Sequence, residues 1–253
     1  MPADHAPSIV ALIPARSGSK RVADKNIRPL LGHPAMAYTI CAAHSSGVFD
    51  QVCVSTDSGD YAEIARHYGA EVVMRPPEMA GDRSPDIDWV EHALATLERP
   101  YDCFSILRPT SPFRQPETIQ RAWAQFLGER EQFDSLRAVQ KCREHPAKMW
   151  VIRGNRMSPL LPFGPPEQPW HSSQYPSLPE VYVQNASLEI AWSRVVRDGR
   201  TIAGVSFMPF LTQGFEGVDL NDPEDWFYAL HIIEHEGAKL PVIDRPPINL
   251  GNA

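Results

Sequence analysis

Short apolar runs alternate with amphipathic stretches along the first half of the chain. The run SIVALIP, residues 8–14, is apolar nearly throughout and ends at a proline and a turn, which predicts a buried strand. The stretch from Pro34 to Gly47 predicts a helix, because proline is favoured in the first turn and glycine just after the last one. An apolar run at residues 51–55 predicts the second strand.

The alternation continues to the middle of the chain. Apolar residues at helical spacing predict three more helices, around residues 61–68, 90–97 and 119–126. Apolar runs predict strands between them, at residues 71–74 and 103–107. Strands and helices that alternate in this way are typical of a doubly wound α/β fold, in which a mostly parallel sheet carries helices on both faces.

The pattern changes between residues 145 and 179. Eight prolines in this span exclude long helices and central strands, so we expect an excursion from the main sheet. Strand character returns at residues 180–192 and 201–208, where β-branched residues are frequent or apolar and polar residues alternate. A last helix is predicted to begin at Pro223.

Composition limits the classes of function. At 253 residues with 43% hydrophobic content, the chain is long enough to bury a substantial core. Its net charge of -7, with both signs scattered along the chain, argues against nucleic acid as a partner. No apolar run approaches the roughly 20 residues that a membrane helix needs. The four cysteines lack metal-ligand spacing, which favours a reducing compartment, and we therefore expect a cytoplasmic protein.

Four cations are concentrated directly after the first predicted strand. In the segment IPARSGSKRVADKN, residues 13–26, they are Arg16, Lys20, Arg21 and Lys25. Ligands of parallel α/β sheets bind beyond the carboxyl ends of the strands, where this segment would lie. Glycine and serine in the segment allow backbone N–H groups to approach an anion, and the cations can bind several phosphate oxygens. The segment therefore predicts a triphosphate site.

The two most common phosphate-binding patterns are absent from this segment. It lacks GxxxxGK[ST], and it has one glycine where GxGxxG needs three. These differences argue against an ATPase and against a dinucleotide-binding protein. The simpler alternative is that the four cations are solvated surface charges, as most lysines and arginines are.

The segment IPARSGSKRVADKN also resembles the nucleotide-binding signature of the cytidylyltransferases that activate acidic 2-keto sugars, above all the CMP-N-acylneuraminate synthetases. Further segments resemble that family in the same order along the chain: RPPEMAGDRSP at 75–85, LRPTSPFR at 107–114, YVQNAS at 182–187 and GVDLNDPEDW at 217–226. The resemblance therefore covers almost the entire chain.

The resemblance implies a Rossmann-like nucleotidyltransferase fold, with residues 1–253 as a single domain. A small proline-rich lobe, at about residues 143–192, would be inserted in it and would serve dimerisation and sugar binding. The implied reaction joins CTP and an acidic 2-keto sugar into a CMP-sugar and pyrophosphate, with Mg²⁺ as cofactor. We expect a homodimer without nucleic-acid or membrane partners, whose product supplies cell-surface polysaccharide.

The resemblance also assigns site residues. The nucleotide would be bound by Ala15, Arg16, Ser17, Gly18, Ser19, Lys20, Arg21, Lys25, Asn26, Arg75, Asp82 and Ser84. The sugar would be bound by Arg108, Thr110, Ser111, Gln174, Tyr182 and Asn185, with His171 as a further contact. The catalytic residues would be Lys25, Arg16 and Asp219, and the Mg²⁺ ligands Asp219 and Asp222. An alternative role for residues 219–225 is the start of a helix, where aspartate is favoured.

Three positions depart from the family pattern. Asn221 replaces the second aspartate of the metal motif, so that either Asp222 helps to hold the metal or one carboxylate suffices. Arg108 replaces a glutamine, and its guanidinium could pair with the carboxylate of the sugar. Ala186 replaces a glycine, which indicates a subgroup with a different sugar lobe.

Three alternatives of function stay open. The acid could be 3-deoxy-octulosonate rather than a nine-carbon nonulosonate. The chain could be a non-catalytic nucleotide-binding relative, for which Asn221 is the argument. A glycosyltransferase is a third possibility, although the basic segment suits a free triphosphate better than a nucleotide already joined to sugar.

Overall fold

The fold is given by a computed structural model that describes residues 6–248. Its strands are β1 Ile9–Pro14, β2 Pro29–Leu30, β3 His33–Pro34, β4 Gln51–Thr56, β5 Glu71–Met74, β6 Cys103–Ile106, β7 Ser135–Lys141, β8 Trp150–Arg153, β9 Arg156–Pro159, β10 Tyr182–Trp192 and β11 Phe207–Leu211. Its helices are α1 Ala35–Ser46, α2 Gly59–His67, α3 Asp86–Thr96, α4 Pro116–Gly128, α5 Arg194–Gly199 and α6 Pro223–His235.

Seven strands form the main sheet, in the order β11-β7-β10-β6-β1-β4-β5. β1 is parallel to both β4 and β6, β5 is parallel to β4, and β10 is antiparallel to β6. The four neighbouring strands β6, β1, β4 and β5 are therefore parallel, as the alternation of strands and helices predicts.

The two faces of the sheet are covered by different helices. Ile9, Ala11 and Ile13 of β1 pack into a core that includes residues of α1, α2 and α4. Val10 and Leu12, which point the other way, pack into a second core with residues of α3 and α5. Alternate residues of one strand thus enter two separate cores, which confirms the doubly wound α/β fold.

The parallel strands end at one edge of the sheet, and this arrangement brings three loops together. Ala15 N, just after β1, donates to Ser55 O of β4 at 2.9 Å, and Leu107 N, just after β6, donates to Leu12 O at 3.0 Å. Arg75 N, just after β5, donates to Thr56 O at 2.6 Å. The segments that carry the family motifs therefore leave the sheet side by side.

One predicted strand is wrong. Residues 201–208 were expected to form a strand, whereas β11 begins only at Phe207. The cause is a turn at Gly204, which has a φ of +72° and lies so close to Asp134 that a Cβ would come within 2.4 Å of the Asp134 Cβ. The Asp134 carboxylate accepts the backbone N–H groups of Val205 and Ser206 at 2.8 and 3.2 Å, which holds the turn.

The chain divides into two compact units. Of the described residues, those up to Ala138 and from Asn185 onward form the first unit, and Val139–Gln184 form the second. The second unit contains the antiparallel hairpin β8–β9, which the pattern did not predict. The lobe expected at residues 143–192 overlaps this unit, but residues 185–192 belong to the first. Within residues 6–248, no helix is both long enough and apolar enough to cross a membrane.

Candidate active site

A pocket of about 240 Å³ lies where the parallel strands end. It is lined by Pro14, Arg16, Ser19, Lys25, Asn26, Arg75, Met79, Gly81, Asp82, Ser84, Asp86, Trp89, Arg108, Pro109 and Thr110. Nine of the residues assigned to nucleotide or sugar are in this lining. The pocket therefore brings together the segment after β1, the segment after β5 and the segment after β6.

We call the segment after β1, residues 15–26, the phosphate loop. Ser17 is tied to Asp57, because its N–H and hydroxyl groups both donate to that carboxylate, at 2.8 and 2.7 Å. Burial acts to raise the pKa of Asp57, but the two bonds from Ser17, together with the backbone N–H of Asp57 and the charge of Arg75, outweigh it and the pKa is lowered. Asn26 Nδ2 donates to Arg16 O at 3.0 Å, and Gly18 makes the turn with a φ of +68°. The loop is thus fixed at its start and at its end.

Two cations of the phosphate loop pair with Asp82. Arg16 Nη2 lies 2.7 Å from the carboxylate, Lys20 Nζ bonds to its other oxygen, and Arg16 also donates to Ala80 O at 3.3 Å. The bonds from Lys20 and Arg16 hold the pKa of Asp82 below its usual value. Asp82 therefore pairs with one guanidinium group and one ammonium group.

The other two cations of the loop turn towards the segment before α6. Lys25 Nζ donates to Asn221 Oδ1 at 2.9 Å. Arg21 donates to Asn221 Oδ1 at 3.2 Å and pairs with Asp222 at 3.3 Å. Burial lowers the pKa of the half-buried Lys25, while the charge of Asp219 acts in the opposite direction. Lys25 is therefore a partly desolvated cation at the edge of the pocket.

Arg75 and Trp89 form the part of the pocket next to β4. The Arg75 side chain is buried and donates to Ser55 Oγ at 3.2 Å and Ser55 O at 3.1 Å. Its guanidinium carbon lies 5.1 Å from the centre of the Trp89 ring. Burial lowers the pKa of Arg75 to about 10. Trp89 Nε1 in turn donates to Asp86 at 2.8 Å.

Arg108 belongs to a row of alternating charges that the sequence did not predict. It lies 2.5 Å from Asp86 and 3.8 Å from the buried Glu189, which pairs with Arg137 at 2.6 Å. Burial acts to lower the pKa of Arg108, but the bond and charge of Asp86, together with the charges of Glu189 and Asp219, outweigh it and the pKa is raised. Burial raises the pKa of Glu189, although Arg137 and Arg108 oppose this shift. In this arrangement two protein carboxylates already match the guanidinium, so its proposed contact with a sugar carboxylate stays a prediction.

The remaining sugar residues are spread over both units. Thr110 lines the pocket and its carbonyl accepts from Leu220 N at 2.8 Å. Ser111 is buried, and its hydroxyl has no hydrogen-bond partner within residues 6–248. Asn185 is buried in the first unit and donates to Thr212 Oγ1 at 2.8 Å. Gln174 and Tyr182 are exposed, and His171 is half-buried. All three belong to the second unit, and none of them lines the pocket.

Three further assigned residues lie in or near the pocket. Ser84 lies in its lining and donates to Glu78 O at 3.2 Å. Ala15 is fully buried at the end of β1 and contributes backbone only, through its N–H bond to β4. Asp222 pairs with Arg21 at the start of α6.

Arg114 is the main residue of this region to which the sequence assigned no role. It is 1% exposed, donates to Ser187 O, and donates to Thr39 Oγ1 at 3.0 Å. Burial lowers its pKa to about 9, and the charge of Asp219 opposes that shift. The arginine at the end of LRPTSPFR was the available signal, because a cation that directly follows the apolar residues Pro112 and Phe113 needs hydrogen-bond partners if it is buried.

Asp219 fits the requirements of a divalent cation. Its Oδ2 accepts a hydrogen bond from Asn221 Nδ2, whereas its Oδ1 is buried with no hydrogen-bond partner in the described part of the chain. That part contains no cluster of three or more metal-ligating side chains. Mg²⁺ suits such a site, because it often uses one or two carboxylates and completes its shell with water and substrate phosphates.

Asp225 has the role of a helix start. Its carboxylate accepts from the backbone N–H groups of Asn221 and Asp222, at 2.7 and 2.8 Å. These bonds satisfy amide groups at the beginning of α6. The alternative interpretation of residues 219–225 as a helix start thus holds for Asp225, while Asp219 lies outside the helix.

Comparison with known proteins adds to this geometry. A family model described as cytidylyltransferase matches residues 10–149, which is more than half of the chain. The chain belongs to the cytidylyltransferase family. A CMP-N,N'-diacetyllegionaminic acid synthase of Legionella pneumophila is 33% identical over 235 residues, which cover 89% of this cytidylyltransferase and 96% of the relative. The resemblance inferred from the motifs is therefore confirmed.

Other relatives share only part of their length with this cytidylyltransferase. An N-acylneuraminate cytidylyltransferase of Escherichia coli is 37% identical over 153 residues, which cover 60% of this chain and 33% of the relative. This chain thus matches about a third of the length of that relative. A solved CMP:2-keto-3-deoxy-manno-octonic acid synthetase in complex with CTP has a TM-score of 0.66 at 13% identity, covering 90% of this chain and 99% of the other. This likeness concerns the fold alone, and it confirms the expected Rossmann-like fold of the nucleotidyltransferase type.

Proposed function

We propose that this cytidylyltransferase transfers CMP from CTP to an acidic 2-keto sugar of the nonulosonate type and releases pyrophosphate. The observation that carries the proposal is a pocket at the ends of the parallel strands that the phosphate loop lines, with Lys25 of that loop joined to Asp219 through the Asn221 amide. The relatives named for legionaminic acid and N-acylneuraminate support an acid of nine carbons.

In the proposed reaction a hydroxyl oxygen of the sugar attacks the α-phosphorus of CTP. The new oxygen–phosphorus bond forms as the bond between the α-phosphorus and the bridging oxygen breaks, the hydroxyl proton passes to solvent, and pyrophosphate leaves with the bridging oxygen. Arg16, Lys20 and Lys25 would bind the triphosphate and stabilise the charge that grows on the leaving group. We expect phosphate oxygens to replace Asp82 as the partner of Arg16 and Lys20.

Other residues of the pocket would orient the substrates. Arg75 and Trp89 line one side of the pocket, and the Arg75 guanidinium is held in place because it lies over the Trp89 ring and donates to Ser55 of β4. Arg108 would face the sugar while Asp86 fixes its direction. Precise placement of the two reactants contributes a large part of the acceleration in reactions of this kind.

Mg²⁺ is proposed as the cofactor. Asp219 would hold it, with Asp222 as the second candidate ligand, and the remaining ligands would be water and phosphate oxygens. When bound, the ion would neutralise charge on the triphosphate and on the leaving pyrophosphate.

The direct test measures pyrophosphate release from CTP and Mg²⁺ with four acids: N-acetylneuraminate, legionaminate, pseudaminate and 3-deoxy-octulosonate. We expect release with one of the nine-carbon acids and at least about tenfold less with UTP, because the wrong base would leave polar groups of the pocket unpaired. Heat-denatured protein serves as the control.

The other outcomes of that assay distinguish the alternatives. Release with 3-deoxy-octulosonate alone would replace the nine-carbon acid by the eight-carbon one. Binding of CTP without release in any mixture would favour a non-catalytic relative. A glycosyltransferase would release a nucleotide from a CMP-sugar and would form no pyrophosphate.

A homodimer formed through the second unit is also proposed. The hairpin β8–β9 exposes large apolar side chains, among them Ile152 at 72% and Met157 at 56%. Apolar surface of this kind is typical of protein–protein interfaces.

A cytoplasmic location is proposed as well. Unpaired thiols at all four cysteines agree with it.

The dimer is tested by light scattering. We expect the wild-type protein to have twice the chain mass of 28.3 kDa, and Ile152→Glu to weaken dimerisation at least about tenfold, because a carboxylate would be buried without a partner. Arg153→Gln, in the same hairpin, is the matched control. A wild-type protein with the mass of one chain would contradict the proposal.

A further inference from the structure

The side chain of Asn221 contacts the phosphate loop and the candidate metal ligand at once. Its Oδ1 accepts from Lys25 Nζ at 2.9 Å and from Arg21 Nη2 at 3.2 Å. Its Nδ2 donates to Asp219 Oδ2. Lys25 is 196 positions away in the sequence, so one amide joins the phosphate loop to the segment before α6.

The backbone on both sides of this amide is fixed. Leu220 N donates to Thr110 O at 2.8 Å, in the segment that follows β6. Asn221 N donates to Asp225 Oδ2 at 2.7 Å, at the start of α6. The Asn221 side chain therefore extends from an anchored position, and its contacts are specified by the fold.

The chemistry of the partners determines which end of the amide faces which group. Lysine and arginine only donate hydrogen bonds, so they require the amide oxygen. An ionised carboxylate only accepts, so Asp219 requires the amide nitrogen. One orientation of the side chain satisfies all three partners, and it is the orientation observed.

No other side chain of this size would make both contacts. A carboxylate at position 221 would accept from Lys25 and Arg21, but it would place a second negative charge against Asp219. An alkyl group would bond to none of them. The amide thus connects the cations to the carboxylate without adding a charge, and it leaves the buried Asp219 Oδ1 available.

We propose that Asn221 is a positioning residue, whose amide holds Lys25 and Arg21 in place for the triphosphate and holds the Asp219 carboxylate in place for Mg²⁺. This inference rests on the proposed function of the pocket. The two halves of the role are separable, because Asn221→Asp removes only the bond to Asp219, whereas Asn221→Leu removes the bonds to the cations as well.

The test is calorimetric titration of CTP into the full-length protein, once with Mg²⁺ and once with EDTA. Asn221→Leu is expected to weaken CTP binding about tenfold in EDTA, since hydrogen bonds to charged groups are lost, and by a larger factor in Mg²⁺, because the bond that places Asp219 for the ion is lost as well. Asn221→Asp is expected to weaken binding about tenfold in EDTA and much less in Mg²⁺, because the ion offsets the added carboxylate. Asn155→Asp, in the turn between β8 and β9, is the control for added charge.

A purely structural role for Asn221 predicts a different result. Both variants would then lose affinity by the same factor in both media, together with a fall in melting temperature, and the inference would be wrong. Unchanged affinity of both variants would also overturn it. If wild-type protein fails to bind CTP in either medium, the proposed function itself fails, which is a distinct outcome.

Discussion

Lys25→Met is expected to lower kcat/KM for CTP by about 100- to 1,000-fold, because removing one preorganised group that stabilises developing charge has an effect of this size. Lys25 lines the pocket, is half-buried, and has its ammonium directed by Asn221 at 2.9 Å. Its surroundings are partly desolvated, so an interaction with phosphate there is stronger than at the protein surface. Methionine keeps the length of the side chain and removes only the charge.

The measurement is the steady-state rate of pyrophosphate release over a range of CTP concentrations, with a thermal melt of each variant. Lys239→Met, at an exposed lysine, is the matched control and is expected to retain wild-type kinetics. A loss below about tenfold with an unchanged melting temperature would mean that Lys25 is not part of the catalytic group.

The central part of the fold was predictable because its signals are local. The run at residues 8–14 and the helical spacing at residues 61–68 each report how nearby residues meet the core, and both elements form where they were expected. The place of the cations after β1, in the lining of the pocket, was predictable for the same reason, since they and Gly18 lie close together in the sequence; their role in binding phosphate stays a prediction. Gly204 shows the limit of this approach: strand-forming residues surround it, but the contact with Asp134, 70 positions earlier, imposes a turn.

The charge pairs of the site were not predictable, because their members are far apart in the chain. Arg108 meets Glu189 since β10 runs antiparallel beside β6, a pairing that no local pattern encodes.

Asn221 changes its meaning between sequence and structure. In the sequence alone it is a lost carboxylate and an argument against catalysis. In the structure it is bonded to two cations and to Asp219, and the same residue becomes an argument for an ordered site.

Asp219→Asn is expected to lower Mg²⁺-dependent pyrophosphate release by at least about 100-fold, because the variant keeps the shape of the side chain and removes the charge that a hard cation needs. The Asp219 carboxylate has one oxygen bonded to Asn221 and a second, buried oxygen without a hydrogen-bond partner among residues 6–248. The rate is measured over a range of Mg²⁺ concentrations, and wild-type protein in EDTA defines the rate without the ion.

Two further aspartates near this site serve as comparisons for Asp219. Asp225→Asn is expected to lower the melting temperature without moving the Mg²⁺ dependence, because Asp225 accepts backbone N–H groups at the start of α6. Asp222→Asn decides whether a second carboxylate takes part: half-saturation at a several-fold higher Mg²⁺ concentration would make Asp222 a ligand. An unchanged value would leave Asp219 as the single protein carboxylate on the ion, which is the arrangement that its one buried, unbonded oxygen favours.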